Sequence, residues 1–110
     1  MRTSSLMKRV MIFVDETDKF RHSNLAAALI ERLKKEGCSG ATVLKGSAGF
    51  GSHKQIHTTT IMDLAVSLPD IVVFIETPDK VAQILPILEE MIEEGFIAID
   101  DVETIKLSKK

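Results

Sequence analysis

The sequence predicts one α+β domain, residues 1–110, in which an antiparallel sheet carries two helices on one face. Short apolar runs rich in β-branched residues indicate the strands, and two longer segments with apolar residues three or four apart indicate the helices. The length indicates a single domain. A chain of 110 residues that is 45% hydrophobic and 27% charged can bury one core but lacks the material for a second.

The first part of the chain predicts a strand, a helix and a second strand. Residues 10–14 form a compact apolar strand, and residues 40–45 form the second strand. Ser23 or Asn24 can cap the helix between them, and Gly37 ends it, because glycine takes the left-handed conformation without strain. The buried stripe of this helix consists of Leu25, Ala26, Leu29, Ile30 and Leu33.

The middle of the chain is rich in glycine and polar residues. Residues 46–60 contain three glycines and are predicted to form a loop. Residues 61–68 have apolar residues at helical spacing, but the segment is short and precedes Pro69, so its structure is left unassigned. Residues 71–75 are apolar throughout and predict the third strand.

The last part of the chain predicts a second helix and a closing strand. Thr77 can cap this helix, and a proline follows at its first position. Pro86 predicts a bend or an early break, because it lacks a backbone donor. Residues 96–99 and 102–107 predict the closing strand, interrupted by two aspartates. The buried stripe of the helix consists of Val81, Ile84, Leu85, Leu88 and Ile92, and Gly95 ends the helix.

This order of elements is the βαββαβ pattern of a ferredoxin-like sandwich. Both helices then cover the same face of the sheet. Residues 10–14 and 71–75 are nevertheless apolar at every position, although a solvated face would alternate polar with apolar residues. The second face therefore needs a cover from outside the chain, and we expect a closed homo-oligomer in which further copies supply it.

Charge and composition exclude several classes of protein. The net charge of -2, without a stripe of basic and aromatic residues, argues against a nucleic-acid partner. Residues 10–14 are too few for a signal peptide, and no apolar run reaches the length of a membrane span. The lone Cys38 cannot form an internal disulfide. We therefore expect a cytoplasmic protein without membrane insertion.

Three segments resemble the nitrogen-regulatory PII-like superfamily. They are residues 40–46, the Gly49-Phe50-Gly51 sequence after the second strand, and residues 68–76, within a similarity over about residues 7–107. The chain is most similar to the short PII-like proteins catalogued as a domain of unknown function. The resemblance implies a ferredoxin-like trimer with ligand clefts between subunits. PII proteins bind adenine nucleotides in these clefts and contact target proteins through a long loop after the second strand.

The resemblance and the glycines together indicate a candidate anion or nucleotide site. Gly46, Gly49 and Gly51 can turn backbone N–H groups toward one point, although a plain hairpin loop explains the same glycines. The candidate ligand-binding residues are Gly46, Gly49, Phe50, Gly51, Ser52, His53, Lys54 and Lys106.

The sequence also departs from the PII pattern at several positions. Ala48 stands where PII proteins have a lysine, and Ser52-His53 stands where they have an arginine and a glutamine. The chain contains no tyrosine, which excludes the tyrosyl modification of PII proteins. Nucleotide binding is therefore an expectation that comes from the family resemblance.

His53 and His57 give the alternative interpretation, a small metal-binding protein or enzyme. Their spacing presents both rings to one metal if the segment is helical, with Asp63 as a third ligand. In a loop, both remain solvated histidines without a metal. The acidic cluster Glu89, Glu90, Glu93 and Glu94 is interpreted as a solvated helix face.

A signalling protein is the function that the sequence favours. The serines and threonines lack a nucleophile elbow or an ordered base, so we expect no enzyme activity, no catalytic residue and no cofactor beyond an adenine nucleotide as ligand. The predicted function is a cytoplasmic PII-like regulator that binds a small anionic metabolite or nucleotide between subunits. Residues 47–60 would then contact a target protein.

Overall fold

The computed structural model describes residues 1–49 and 68–109. Six strands and two helices lie in these ranges. In chain order they are β1 (Arg2–Asp15), β2 (Lys19–Phe20), β3 (Ser23–Asn24), α1 (Leu25–Lys35), β4 (Thr42–Lys45), β5 (Pro69–Glu76), α2 (Pro78–Met91) and β6 (Phe96–Leu107).

The main sheet has four antiparallel strands in the order β4-β5-β1-β6. The central strands β1 and β5 pair from Lys8 opposite Glu76 to Asp15 opposite Pro69. Strands β2 and β3 form a separate small hairpin. Both helices contribute side chains to one core on one side of the main sheet, so the predicted ferredoxin-like α+β fold is confirmed.

Buried and partly exposed side chains alternate along β1, and this alternation shows where the core lies. Val10 and Ile12 are fully buried, and they face Leu29 of α1 and Leu88 of α2 in the same apolar cluster. Since strand side chains alternate between faces, the odd-numbered residues of this stretch point away from the helices. Burial of the helix face supplies the main favourable term for folding.

Caps define where each helix begins. Asn24 Oδ1 accepts the backbone N–H of Ala27 at 3.0 Å, so the second of the two predicted caps is the one in use. The Thr77 hydroxyl accepts the N–H of Lys80 at 3.2 Å, as expected for a capping threonine. After α1, Gly37 has a φ of 88°, which explains the glycine at this position.

The structure corrects the predicted course of the second helix. The helix continues through Pro86 without a break and ends at Met91, earlier than the predicted end at Gly95. Ile84 and Leu88, on either side of the proline, are both buried against the sheet. Their packing holds the two halves in one helix despite the missing backbone donor.

The structure also corrects the first and the last strand of the chain, β1 and β6. β1 begins at Arg2 instead of residue 10, and β6 runs without the predicted interruption. The two aspartates take part in the ladder because each has a basic partner on β1. Arg9 binds Asp100 through two hydrogen bonds of 3.0 and 2.7 Å, and Lys8 Nζ lies 2.6 Å from Asp101.

On the N-terminal side of Lys8, residues 2–7 of β1 pair with β6 alone. The two strands form a ribbon that extends past the rest of the sheet. The longest dimension of the molecule is 51 Å. The apolar side chains of Leu6, Ile105 and Leu107 are 71, 53 and 72% exposed on it.

The sheet face opposite the helices, here called the open face, is apolar. Met11, Phe13, Ile71 and Val73 lie on it and are each partly exposed. The ring of Phe96, which is 58% exposed, stacks on Phe13 with 4.6 Å between ring centroids. Among residues 1–49 and 68–109, no helix or strand packs on this face.

Candidate ligand-binding site

The ends of β4 and β5 meet where the chain leaves the sheet and returns to it. This position, here called the loop base, consists of Lys45, Gly46, Leu68 and Pro69. Of the predicted ligand-binding residues, Gly46, Gly49 and Lys106 lie within the described parts of the chain. The other five, Phe50, Gly51, Ser52, His53 and Lys54, lie outside the described residues, as do His57 and Asp63.

Gly46 is required at the loop base for a steric reason. Its N–H donates to the carbonyl oxygen of Pro69 at 2.8 Å. A Cβ at this position would lie 2.5 Å from Pro69 Cγ and 3.0 Å from Cδ. At Gly49 the nearest atom would be the same Cγ at 3.7 Å, an ordinary contact. Close approach of the two strand ends therefore explains Gly46, whereas Gly49 has room for a Cβ.

Lys45 is held by acidic groups at the loop base. Its Nζ lies 2.7 Å from Asp70 Oδ1 and 4.0 Å from Glu16 Oε2. The hydrogen bond to Asp70 is the main cause that raises the pKa of Lys45. Asp70 is 1% exposed, and apart from this ammonium group its Oδ1 has no hydrogen-bond partner among the described residues. Lys45 therefore serves as the counter-ion of a buried carboxylate.

Glu16 connects the end of β1 to the loop base. Its backbone N–H donates to Leu68 O at 2.9 Å, and its Oε1 accepts the N–H of Leu68 at 2.8 Å. The Asn24 side chain donates to Glu16 O at 3.0 Å while it caps α1. One glutamate therefore satisfies both backbone groups of Leu68 and is itself fixed by the start of a helix.

Sequence reasoning missed Glu16 and Asp70 as parts of the site. A signal for Asp70 was present, because it shares the period-two register of Val72 and Phe74, both of which are buried. A carboxylate on the buried side of a strand indicates a nearby cation. Glu16 had no comparable signal, because its contacts depend on how the chain returns to the sheet at Leu68.

Lys106 lies far from the loop base within one chain. It pairs with Thr3 near the end of the ribbon, whereas Asp70 pairs with Val14. Thr3 and Val14 are separated by roughly 36 Å along β1 at the usual rise of about 3.3 Å per residue. One copy of the chain therefore does not bring Lys106 and Gly46 together.

A second buried carboxylate lies at the other end of β5. Glu76 is 8% exposed, and its Oε2 accepts the N–H of Ser39 at 2.6 Å and the Ser39 hydroxyl at 2.9 Å. Burial, followed by the charge of Glu76, raises the pKa of the Cys38 thiol. A raised pKa disfavours the thiolate, so Cys38 is not an activated nucleophile.

The remaining chemical candidates have structural explanations. His22 lies in the turn between β2 and β3. The acidic cluster on and after α2 is exposed, as expected of a solvated face. Across residues 1–49 and 68–109, no three His, Cys, Asp or Glu side chains form a metal site. Neither described helix has the length and apolar character needed to cross a membrane.

Comparison with solved structures identifies the fold as PII-like. A CPII protein from Thiomonas intermedia K12, solved with ADP and bicarbonate, gives a TM-score of 0.56 at 18% identity, with 93% of this chain and 91% of that chain covered. The apo form of CPII gives 0.55 at 12% identity, covering 97% of this chain and 100% of the other. CPII is described as a nitrogen regulatory PII-like protein.

Sequence comparison gives the family. The model of the DUF190 family, described as "Uncharacterized ACR", matches residues 7–104. A UPF0166 protein of Aquifex aeolicus is 34% identical over 91% of this chain and 94% of its own length. Another, from Methanocaldococcus jannaschii, is 35% identical over 90% and 92%. The chain therefore belongs to the DUF190 family, and the resemblance to short PII-like proteins of unknown function is confirmed.

Proposed function

We propose that this protein is a cytoplasmic PII-like regulator that binds an adenine nucleotide or another small anion between the subunits of a homotrimer. Residues 47–60 contact the target protein, and the chain has no catalytic role. The observation that carries the proposal is the open face, because a broad apolar surface on a small chain is stabilised when further copies cover it.

The positions of the candidate ligand residues support an assembly. Gly46 and Lys106 lie near opposite ends of β1, so they belong to one site only if Lys106 comes from a neighbouring copy. The ribbon that carries Lys106 extends past its own sheet, which suits a contact with another subunit. The ADP and bicarbonate bound by CPII, which has this fold, indicate the class of ligand to test.

The assembly is tested by light scattering. We expect a mass of about 37 kDa, three times the 12.2 kDa chain. Val73→Glu places a carboxylate on the open face and should give a folded monomer, whereas Gln83→Glu adds the same charge on the exposed side of α2 and should stay trimeric. A monomeric wild-type protein would contradict the proposal.

Ligand binding is tested by calorimetry with ADP, AMP and bicarbonate, each added separately. Gly49→Leu and Lys106→Gln should each weaken binding without lowering the melting temperature, because a Cβ at Gly49 makes only an ordinary contact with Pro69 and Lys106 is exposed. Co-expression of the two variants should restore binding in part, since mixed trimers contain clefts with both native residues. If none of the three ligands binds the wild-type protein, the ligand proposal is refuted.

A further inference from the structure

We propose that Glu16 is a positioning residue for the ligand site, acting through the loop base without touching the ligand. This inference rests on the proposed function. Glu16 binds the N–H of Leu68 through one carboxylate oxygen, and the other oxygen faces Lys45 Nζ. Its carboxylate thereby contacts both the last residue of β4, Lys45, and the residue before β5, Leu68.

The contacts of Glu16 connect the turn after β1 to the start of α1 and to the residue before β5. The hydrogen bond from Asn24 to Glu16 O links it to the first turn of α1, and its own N–H is bound to Leu68 O. A site held by regular elements keeps its geometry better than one held by a loop alone. The Gly46 N–H to Pro69 O bond is the second connection across the loop base, and Glu16 restrains the neighbouring residue, Leu68.

A positioning role for Glu16 and a purely electrostatic role predict opposite effects on anion binding. A carboxylate near an anion site opposes anion binding through its charge. If Glu16 acted through its charge alone, every variant that removes the charge would strengthen binding. If it acts by positioning, removal of the oxygen that accepts the Leu68 N–H weakens binding although a repulsive charge has been lost.

Three variants distinguish these roles, with ADP as the probe. Glu16→Gln keeps an oxygen that can accept the Leu68 N–H and loses the charge, so ADP should bind as tightly as to the wild type, or more tightly. Glu16→Ala loses the acceptor and should weaken binding at least tenfold. Glu16→Asp keeps the charge but is one methylene shorter, so it should weaken binding like alanine. Glu31→Ala, an exposed change on α1, is the matched control.

Calorimetric dissociation constants, measured well below each melting temperature, give the result. Equal affinities for wild type, Glu16→Ala and Glu16→Asp would overturn the positioning role, even if both variants melt earlier. Tighter binding by both Glu16→Gln and Glu16→Ala would overturn it in favour of a purely electrostatic role. A wild-type protein that binds no ADP would instead remove the proposed function, and with it this inference.

Discussion

Substitution of Gly46 by alanine tests the steric explanation of the loop base. The new Cβ would lie 2.5 Å from Pro69 Cγ, whereas carbon atoms in contact are normally about 3.5 to 4.0 Å apart. The proline ring cannot rotate away, so the strand ends must separate by about 1 Å. Separation at this point also strains the 2.8 Å hydrogen bond from Gly46 N–H to Pro69 O.

The expected loss of stability follows from these two effects. Overpacking of this kind costs about 1 to 3 kcal/mol, and loss of the hydrogen bond adds about 1 kcal/mol. We therefore expect the free energy of unfolding to fall by roughly 2 to 4 kcal/mol. For a chain of this length, each kcal/mol corresponds to about 4 °C, so the melting temperature should drop by roughly 8 °C or more.

Gly40→Ala is the matched control, because a Cβ at Gly40 meets no atom within 4 Å and its φ lies outside the left-handed region. It should leave the free energy of unfolding unchanged or raise it by up to about 1 kcal/mol, because alanine lowers the conformational entropy of the unfolded chain. Replacing Pro69 by alanine in the Gly46→Ala background should recover part of the loss, since the clashing Cγ is removed. Equal urea midpoints for the Gly46→Ala and Gly40→Ala proteins would refute the steric explanation.

Three further predictions concern the core, one ion pair and the thiol. Leu88→Ala should lower the free energy of unfolding in urea by about 2 to 5 kcal/mol, because Leu88 is fully buried. Arg9 lowers the pKa of Asp100, so the pair stabilises the fold above the ordinary carboxyl pKa and loses this effect as the pH falls through the lowered value. Arg9→Gln should raise the pKa of Asp100 in an NMR titration, and an unchanged pKa would contradict the pairing. Cys38 should react more slowly with iodoacetamide at pH 8 than an exposed cysteine peptide, because its pKa is raised; equal rates would contradict this.

Local sequence signals identified the elements that form the core. The continuous apolar run around Ile12 and the caps at Asn24 and Thr77 act within a few residues of the chain, so they can be interpreted without knowledge of the fold. The polar start of β1 gave no such signal, because residues 2–9 become a strand through pairing with β6, about a hundred residues away in sequence. A long-range partner determines that structure, and no short window contains it.

The helix through Pro86 shows that long-range contacts can also override a local sequence signal. Proline predicts a bend or an early break from local chemistry, but Ile84 and Leu88 belong to a core completed by β1 and α1. Tertiary packing of this kind outweighs one missing backbone donor. The candidate site was likewise predictable in part, since the glycines were recognised, whereas the contacts of Glu16 and Asp70 arise only when distant strand ends meet.

The charges at the loop base strengthen the case for a site shared between copies. Lys45 is bound by Asp70 and faces Glu16, so these three groups together carry one net negative charge. An anion that binds near Gly46 therefore needs positive charge from elsewhere, because uncompensated repulsion in a partly dehydrated cleft is costly. Lys106 is an exposed cation that one chain holds roughly 36 Å away along β1. If anions bind at the glycines with Lys106 as a contact, a second copy must bring it there.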